Sequence, residues 1–236
     1  MVFAKKNLSE LNRLNVEEFK ATDKISLVVV LDNVRSQHNV GAVFRTSDAF
    51  LVEKIYLCGI TATPPNRDIH KAALGATESV EWQYFSKTVD AVNDLKRQGF
   101  SIFALEQTQH SISFLEFGDV PVRRRFHLRR SISGRLHLPM QAQPAKNNRT
   151  AENPPPNEES VSEQVSRFVR NDGTLRLSKP IALILGNEVD GISDDVLPLI
   201  DGAFEIPQFG TKHSLNVSVS AGIAIWELFK FLKKID

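Results

Sequence analysis

Phe209-Gly210-Thr211-Lys212-His213-Ser214-Leu215-Asn216-Val217-Ser218-Val219-Ser220-Ala221 follows a β-type run, Ala203-Phe204-Glu205-Ile206-Pro207, and opens a helix rich in small residues. Two hydrogen-bonding side chains, Ser214 and Asn216, therefore stand where strand gives way to helix. Open α/β sheets bind ligands at such junctions. The first amides of the helix are unpaired there and can hold an acceptor atom. Ser and Asn are also favoured N-caps, so this loop alone reads better as an ordinary helix start than as a ligand site. Two further junctions of the same kind decide how it is read.

Working outward, apolar β-type runs alternate with helical patterns. Leu27-Val28-Val29-Val30-Leu31 is continuously aliphatic, as expected of a strand buried on both faces. From Asn39 to Phe50 a helical period places Val40, Val43, Phe44, Ser47 and Leu51 on one face and leaves Arg45 and Asp48 off it. Further strands are predicted at 54–58, 80–85, 100–105, 181–185 and 203–206. Helices are predicted near 9–19, 70–74, 88–98 and 216–234, with Gly75 and Gly99 as terminators. The first half of the last helix is small and apolar nearly all round, which suggests burial against other elements or a second subunit. Strand–helix alternation predicts an α/β fold with a mainly parallel sheet and flanking helices.

The bulk numbers narrow the function classes. The 236 residues suffice for one large or two small domains, and 42% apolar content supports a real core. A net charge of +1 argues against a strongly basic, histone-like binder but not against a local basic patch. The single cysteine, Cys58, excludes an internal disulfide framework and a cysteine-ligated zinc site; its place in a β-type run reads as a small buried hydrophobe. His38, His70 and His213 show no metal-ligand spacing beside a carboxylate, so no metal is expected. His213, inside the opening loop, is a candidate ligand contact. No apolar run is long enough to cross a bilayer, and residues 1–24 lack a signal-peptide core. The expected setting is cytoplasmic.

One segment breaks the alternation. Residues 118–178 have no sustained period. Their first part carries Arg123, Arg124, Arg125, Arg129, Arg130 and Arg135; their middle is rich in Pro, Asn, Glu and Gln around Pro154-Pro155-Pro156. Such composition buries too little apolar surface to offset the entropy of ordering. The segment reads as a disordered insertion, either a solvated linker or an arginine arm for phosphates. The domain plan is thus an N-terminal extension with a short helix (1–24), a domain formed by 25–117 and 179–236, and the insertion between its two parts.

The other two junctions are Asp32-Asn33-Val34-Arg35-Ser36-Gln37-His38-Asn39-Val40-Gly41-Ala42-Val43-Phe44-Arg45, after the first strand, and Gly186-Asn187-Glu188-Val189-Asp190-Gly191-Ile192-Ser193-Asp194-Asp195, after the strand 181–185. In the first, Asn39 lies near the helix start and Gly41 allows close backbone packing or ligand approach. Arg45 is open to a surface ion pair with Asp48 or Glu53, or to a ligand. In the second, Ser193 reads as the cap of a short helix with Asp194 and Asp195 in its first turn. Glu188 has no capping duty in that reading, which leaves it for a partner such as Arg45.

The three junctions in order resemble motifs 1, 2 and 3 of the SpoU/TrmH branch of the SPOUT RNA methyltransferases. Asn33, Asn39, Gly41 and Arg45 match the first motif. Gly186, Asn187, Glu188 and Gly191 match the second. Ile206, Pro207, Ser214, Leu215, Asn216 and Ala221 match the third. Lys71-Ala72-Ala73-Leu74-Gly75-Ala76 also looks like the family's linking segment. The resemblance covers residues 8–116 and 179–235, and departs from the family at the insertion.

The resemblance implies a deep trefoil knot in the C-terminal part, a homodimer with both chains contributing to each site, and S-adenosylmethionine as cofactor. It implies methyl transfer to a ribose 2′-hydroxyl of RNA, tRNA or else rRNA. It assigns Arg45, Asn39, Glu188, Ser214 and Asn216 to catalysis, and Leu105, Gly186, Asn187, Gly191, Ile206 and Leu215 to the cofactor. The competing reading is a knotted RNA-binding dimer without turnover. A dinucleotide-binding oxidoreductase lacks its Gly-x-Gly-x-x-Gly turn here, and a nucleotide triphosphatase lacks its Gly-Lys-Ser/Thr loop.

Overall fold

The aliphatic run 27–31 lies within β1 (Ile25–Asp32), an interior strand of a seven-stranded parallel sheet. A computed structural model describes residues 5, 7, 10, 12–109, 111–115, 180–212 and 214–233. The expected insertion at 118–178 and the candidate contact His213 lie outside the described residues. The remaining strands are β2 (Val52–Cys58), β3 (Glu81–Phe85), β4 (Ser101–Leu105), β5 (Ile112–Ser113), β6 (Ile181–Leu185) and β7 (Gly202–Glu205). Their order is β3-β2-β1-β6-β4-β7-β5, and every pair of neighbours is parallel. The short β5 was not expected: two residues carry no period.

The helices are α1 (Val16–Ala21), α2 (Gln37–Ala49), α3 (Arg67–Ala73), α4 (Ala76–Ser79), α5 (Thr88–Arg97) and α6 (Val217–Leu232). The first begins later than the 9–19 expectation because Asn15 and Glu18 close a reciprocal capping box there. Its Phe19 reaches the core.

Side-chain alternation on β1 supplies two cores. Ile25, Leu27, Val29 and Leu31 join Val40, Val43 and Phe44 of α2 and Ala221, Ala224, Ile225 and Leu228 of α6. Val28 and Val30 join Tyr56, Cys58, Ala91, Val92, Leu95, Ile192 and Val196 on the other face. The sheet is therefore covered on both sides, which is why its central strands read as unbroken aliphatic runs. Each such side chain stabilises the fold by roughly 1.5–3 kcal/mol relative to exposure. Gly41 serves backbone packing: a Cβ there would sit 2.4 Å from the Ile69 carbonyl oxygen of α3.

Cys58 is fully buried, and burial pushes its thiol up to about 12. The thiolate is the reactive form. Folded protein at pH 8 is thus expected to resist iodoacetamide and to take up one equivalent once unfolded, as read by intact mass.

Strand order reverses around β1. The chain steps outward through β2 and β3, then resumes with β4, β6 and β7 on the other side. Such a reversal opens a crevice beyond the carboxyl ends of the strands. The registers Leu31↔Leu185 and Ala104↔Ile184 bring the ends of β1, β6 and β4 to one rim.

Candidate active site

The crevice is built on a buried carboxylate. Asp32 ends β1 with no exposed surface. It accepts hydrogen bonds from Thr88 Oγ1, from Ser193 N at 2.8 Å and Oγ at 3.1 Å, and from Asn33 Nδ2 at 2.9 Å. Asn33 turns the chain with φ 54°, a left-handed conformation that Asn tolerates better than most residues. Its Oδ1 accepts from Ile60 N, and its carbonyl accepts from Asn187 Nδ2 at 2.8 Å. This corner joins the first and second junctions, and the sequence reading missed it. It also corrects Ser193, which caps no α-helix: its hydroxyl turns to Asp32, and residues 194–196 form a turn leading to a 3₁₀ segment, Leu197–Leu199.

The next layer links all three junctions. Glu188 accepts from Arg35 N at 3.0 Å, Ser36 N at 3.2 Å and Asn39 Nδ2 at 3.0 Å. Asn39 Oδ1 in turn accepts from Asn216 Nδ2 at 3.1 Å. Asn216 caps α6 through its Oδ1, which accepts from Ser218 N at 2.9 Å and Val219 N at 3.4 Å. Asn216 is therefore both the cap of α6 and a link to Asn39, by different atoms of one amide. Partial burial pushes the Glu188 carboxyl up, but the bonds from Arg35, Asn39 and Ser36 outweigh it and hold the group below the usual carboxylate range. At neutral pH it is an anion whose acceptor sites face α2.

Glu188 is thus engaged at the start of α2, not paired with Arg45 as the sequence suggested. Arg45 is exposed and has neither ion pair nor hydrogen bond among the described residues. The alternative partner Asp48 accepts from Ser79 Oγ instead. Helix geometry explains the separation. Six residues carry Arg45 about 9 Å along α2 from Asn39 and about 120° around it.

Beside this chain lies a cavity of about 430 Å³. Leu105, Gly186, Asn187, Gly191, Ile206 and Leu215, all six residues assigned to a cofactor, border it, as do Glu188 and Ser214; Arg45, Asn39 and Asn216 do not. Ser214 is exposed. Both polar atoms of the Asn187 side chain are taken by the loop, Nδ2 by Asn33 and Oδ1 by Val189 N and Asp190 N. Gly186 is required because a Cβ there would lie 2.3 Å from the Gly191 carbonyl carbon and 2.4 Å from Ile192 N. Glu106, which also borders the cavity, was not singled out in the sequence.

The cavity size falls in the ~300–1,000 Å³ range of small-ligand sites. Its walls offer apolar side chains at Leu105, Leu185, Ile206 and Leu215, backbone groups at two crowded glycines, and carboxylates. That set suits a flat nucleoside with a cationic tail. Among the described residues no group of three or more His, Cys, Asp or Glu is placed to hold a metal ion, and no helix is long and apolar enough to cross a membrane.

The tRNA (guanosine(18)-2′-O)-methyltransferase of Aquifex aeolicus is 26% identical over 205 residues, covering 85% of this chain and 67% of that protein. The enzyme of the same name from Thermus thermophilus is 24% identical over 219 residues, covering 93% of this chain and 82% of that protein. In fold, the chain is similar to the crystal structure of the A. aeolicus TrmH/SpoU tRNA modifying enzyme, with a TM-score of 0.60 and 20% identity over 93% of this chain and 83% of that one. It is also similar to the AdoMet-bound rRNA methyltransferase of Sinorhizobium meliloti, with a TM-score of 0.59 and 19% identity over 91% of this chain and 60% of that one. The model of the SpoU rRNA Methylase family matches residues 26–128 and 148–226, more than half of the sequence, and the chain belongs to that family.

Proposed function

We propose that this protein is an S-adenosylmethionine-dependent RNA (ribose-2′-O)-methyltransferase acting on tRNA or rRNA. One observation carries the reading: the Asn216–Asn39–Glu188 chain ties three distant segments together beside a cavity bordered by all six residues expected to hold the cofactor. The names of the Aquifex and Thermus relatives, both 2′-O-methyltransferases of tRNA, favour a tRNA substrate.

Bound S-adenosylmethionine would supply an electrophilic methyl group on a sulfonium. Leu105, Gly186, Ile206 and Leu215 would hold the nucleoside part through backbone groups and apolar walls, with Asn187 and Gly191 shaping the loop between them. Arg45 stays protonated, so it serves as a fixed positive charge and not as a base. It stabilises the alkoxide developing on the ribose oxygen and positions the neighbouring phosphate. Asn39 and Asn216, locked to each other, orient the ribose; Glu188 fixes Asn39, and Ser214 lines the approach. Holding the oxygen in line with the methyl carbon converts an encounter into an effectively unimolecular step.

A homodimer and a C-terminal knot belong to the same proposal. Arg45 lacks a partner among the described residues of its own protomer, in keeping with a cleft completed by a second copy. Val219 and Trp226, seven residues apart, lie exposed on one side of α6, an apolar stripe suited to that contact. For the knot, β7 lies between β4 and β5 in the sheet although those two strands follow each other in the chain, an order in keeping with a threaded C-terminal part.

Two measurements bear on this. Titration calorimetry is expected to register S-adenosylmethionine binding; a binding-only RNA dimer would give no heat. Gly186→Ala is expected to weaken that binding at least tenfold, because the new methyl meets backbone that cannot move aside without opening the 186–191 loop. Unchanged affinity would remove this cavity as the cofactor site.

A further inference from the structure

Glu106 follows β4 directly, and its own amide donates to the Phe204 carbonyl at 3.0 Å, which fixes its backbone to the rim of the sheet. Its carboxylate borders the cavity. One oxygen, Oε1, accepts from Gln107 N at 3.0 Å. The other, Oε2, lies against Gly191, where a Cβ would approach it to 2.7 Å, and accepts no hydrogen bond among the described residues. The other carboxylates at this cavity differ. Glu205 accepts from Ser111 Oγ at 2.7 Å, and Glu188 is engaged by Arg35, Ser36 and Asn39. Asp190 is exposed.

A half-buried acceptor without a donor is matched by a ligand that brings one. In the cofactor expected here the donors are the ribose 2′- and 3′-hydroxyls, the adenine 6-amino group and the methionine ammonium. Glu106 stands next to Leu105 and across from Gly191, at the end of the cavity where the nucleoside is expected. An acidic side chain at the end of a sheet strand is a known solution for a ribose diol in other nucleotide sites. We infer that Glu106 is a cofactor-specificity residue whose free carboxylate oxygen accepts from the ribose diol of the adenosyl group. This rests on the cofactor reading proposed above.

The test uses binding, not turnover. The probes are S-adenosylhomocysteine, its 2′,3′-dideoxy analogue, and 5′-methylthioadenosine, which keeps the ribose but has no ammonium. Each is titrated into wild-type protein and Glu106→Ala, with thermal melting to verify that both are folded. Loss of a hydrogen bond to a charged group predicts about 10- to 100-fold weaker binding of S-adenosylhomocysteine and methylthioadenosine alike in the variant. The wild type should disfavour the dideoxy analogue by a similar factor, and the variant should not distinguish it. A loss confined to S-adenosylhomocysteine would assign the carboxylate to the ammonium and overturn the inference. Equal affinities in both proteins would make Glu106 a bystander. No binding of any probe by the wild type would instead remove the cofactor reading itself.

Discussion

Arg45→Ala is expected to lower kcat for methyl transfer by about 10²–10³, while melting temperature and S-adenosylmethionine affinity stay close to wild type. The factor is that of deleting one preorganised group facing developing negative charge. The fold should be indifferent, because Arg45 is exposed and bonds to no described residue; surface changes of that kind usually fall within about 0.5 kcal/mol. Arg45→Lys keeps the charge but not the two-pronged geometry, and should recover only part of the loss. Single-turnover rates with saturating RNA separate the chemical step from binding. Full activity in Arg45→Ala would take this residue out of the mechanism.

The largest structural effect is expected at Asp32. Asp32→Ala strands the Ser193 amide, the Thr88 hydroxyl and one bond of Asn33 at the buried corner. Unsatisfied buried donors cost about 1–3 kcal/mol each. Partial relaxation around the smaller side chain leaves an expected loss of about 3 kcal/mol, or roughly 6–12 °C in Tm for a chain of this size. Cofactor affinity should fall as well, since Ser193 and Asn33 anchor the loop that carries Gly186 and Gly191. Thr88→Val removes only one of these donors and should cost less. A melting temperature unchanged in Asp32→Ala would show that the corner does not hold the site together.

Much of this arrangement was legible before the fold was seen. The aliphatic run 27–31 announced a strand buried on both sides, and a strand with two cores is what β1 became. Small polar residues after three strands announced the crevice, because the order reversal around β1 gathers such strand ends. What stayed hidden depended on distance along the chain. Ser193 read as a cap because its neighbours Asp194 and Asp195 suit one; its true partner, Asp32, is 161 residues away. Glu188 read as a partner for Arg45 because side chains are visible in a sequence and free backbone amides, here those of Arg35 and Ser36, are not. Two-residue β5 had too little length to carry a period.

The central claim is methylation at the sugar. Purified protein, methyl-labelled S-adenosylmethionine and bulk tRNA and rRNA from cells lacking the protein would be incubated, the RNA digested, and its nucleosides resolved by mass spectrometry. The label is expected in a 2′-O-methylnucleoside, with an initial rate about 10²–10³ lower for Arg45→Ala. Label found only on bases, or no transfer to either RNA by protein that binds the cofactor, would contradict the account.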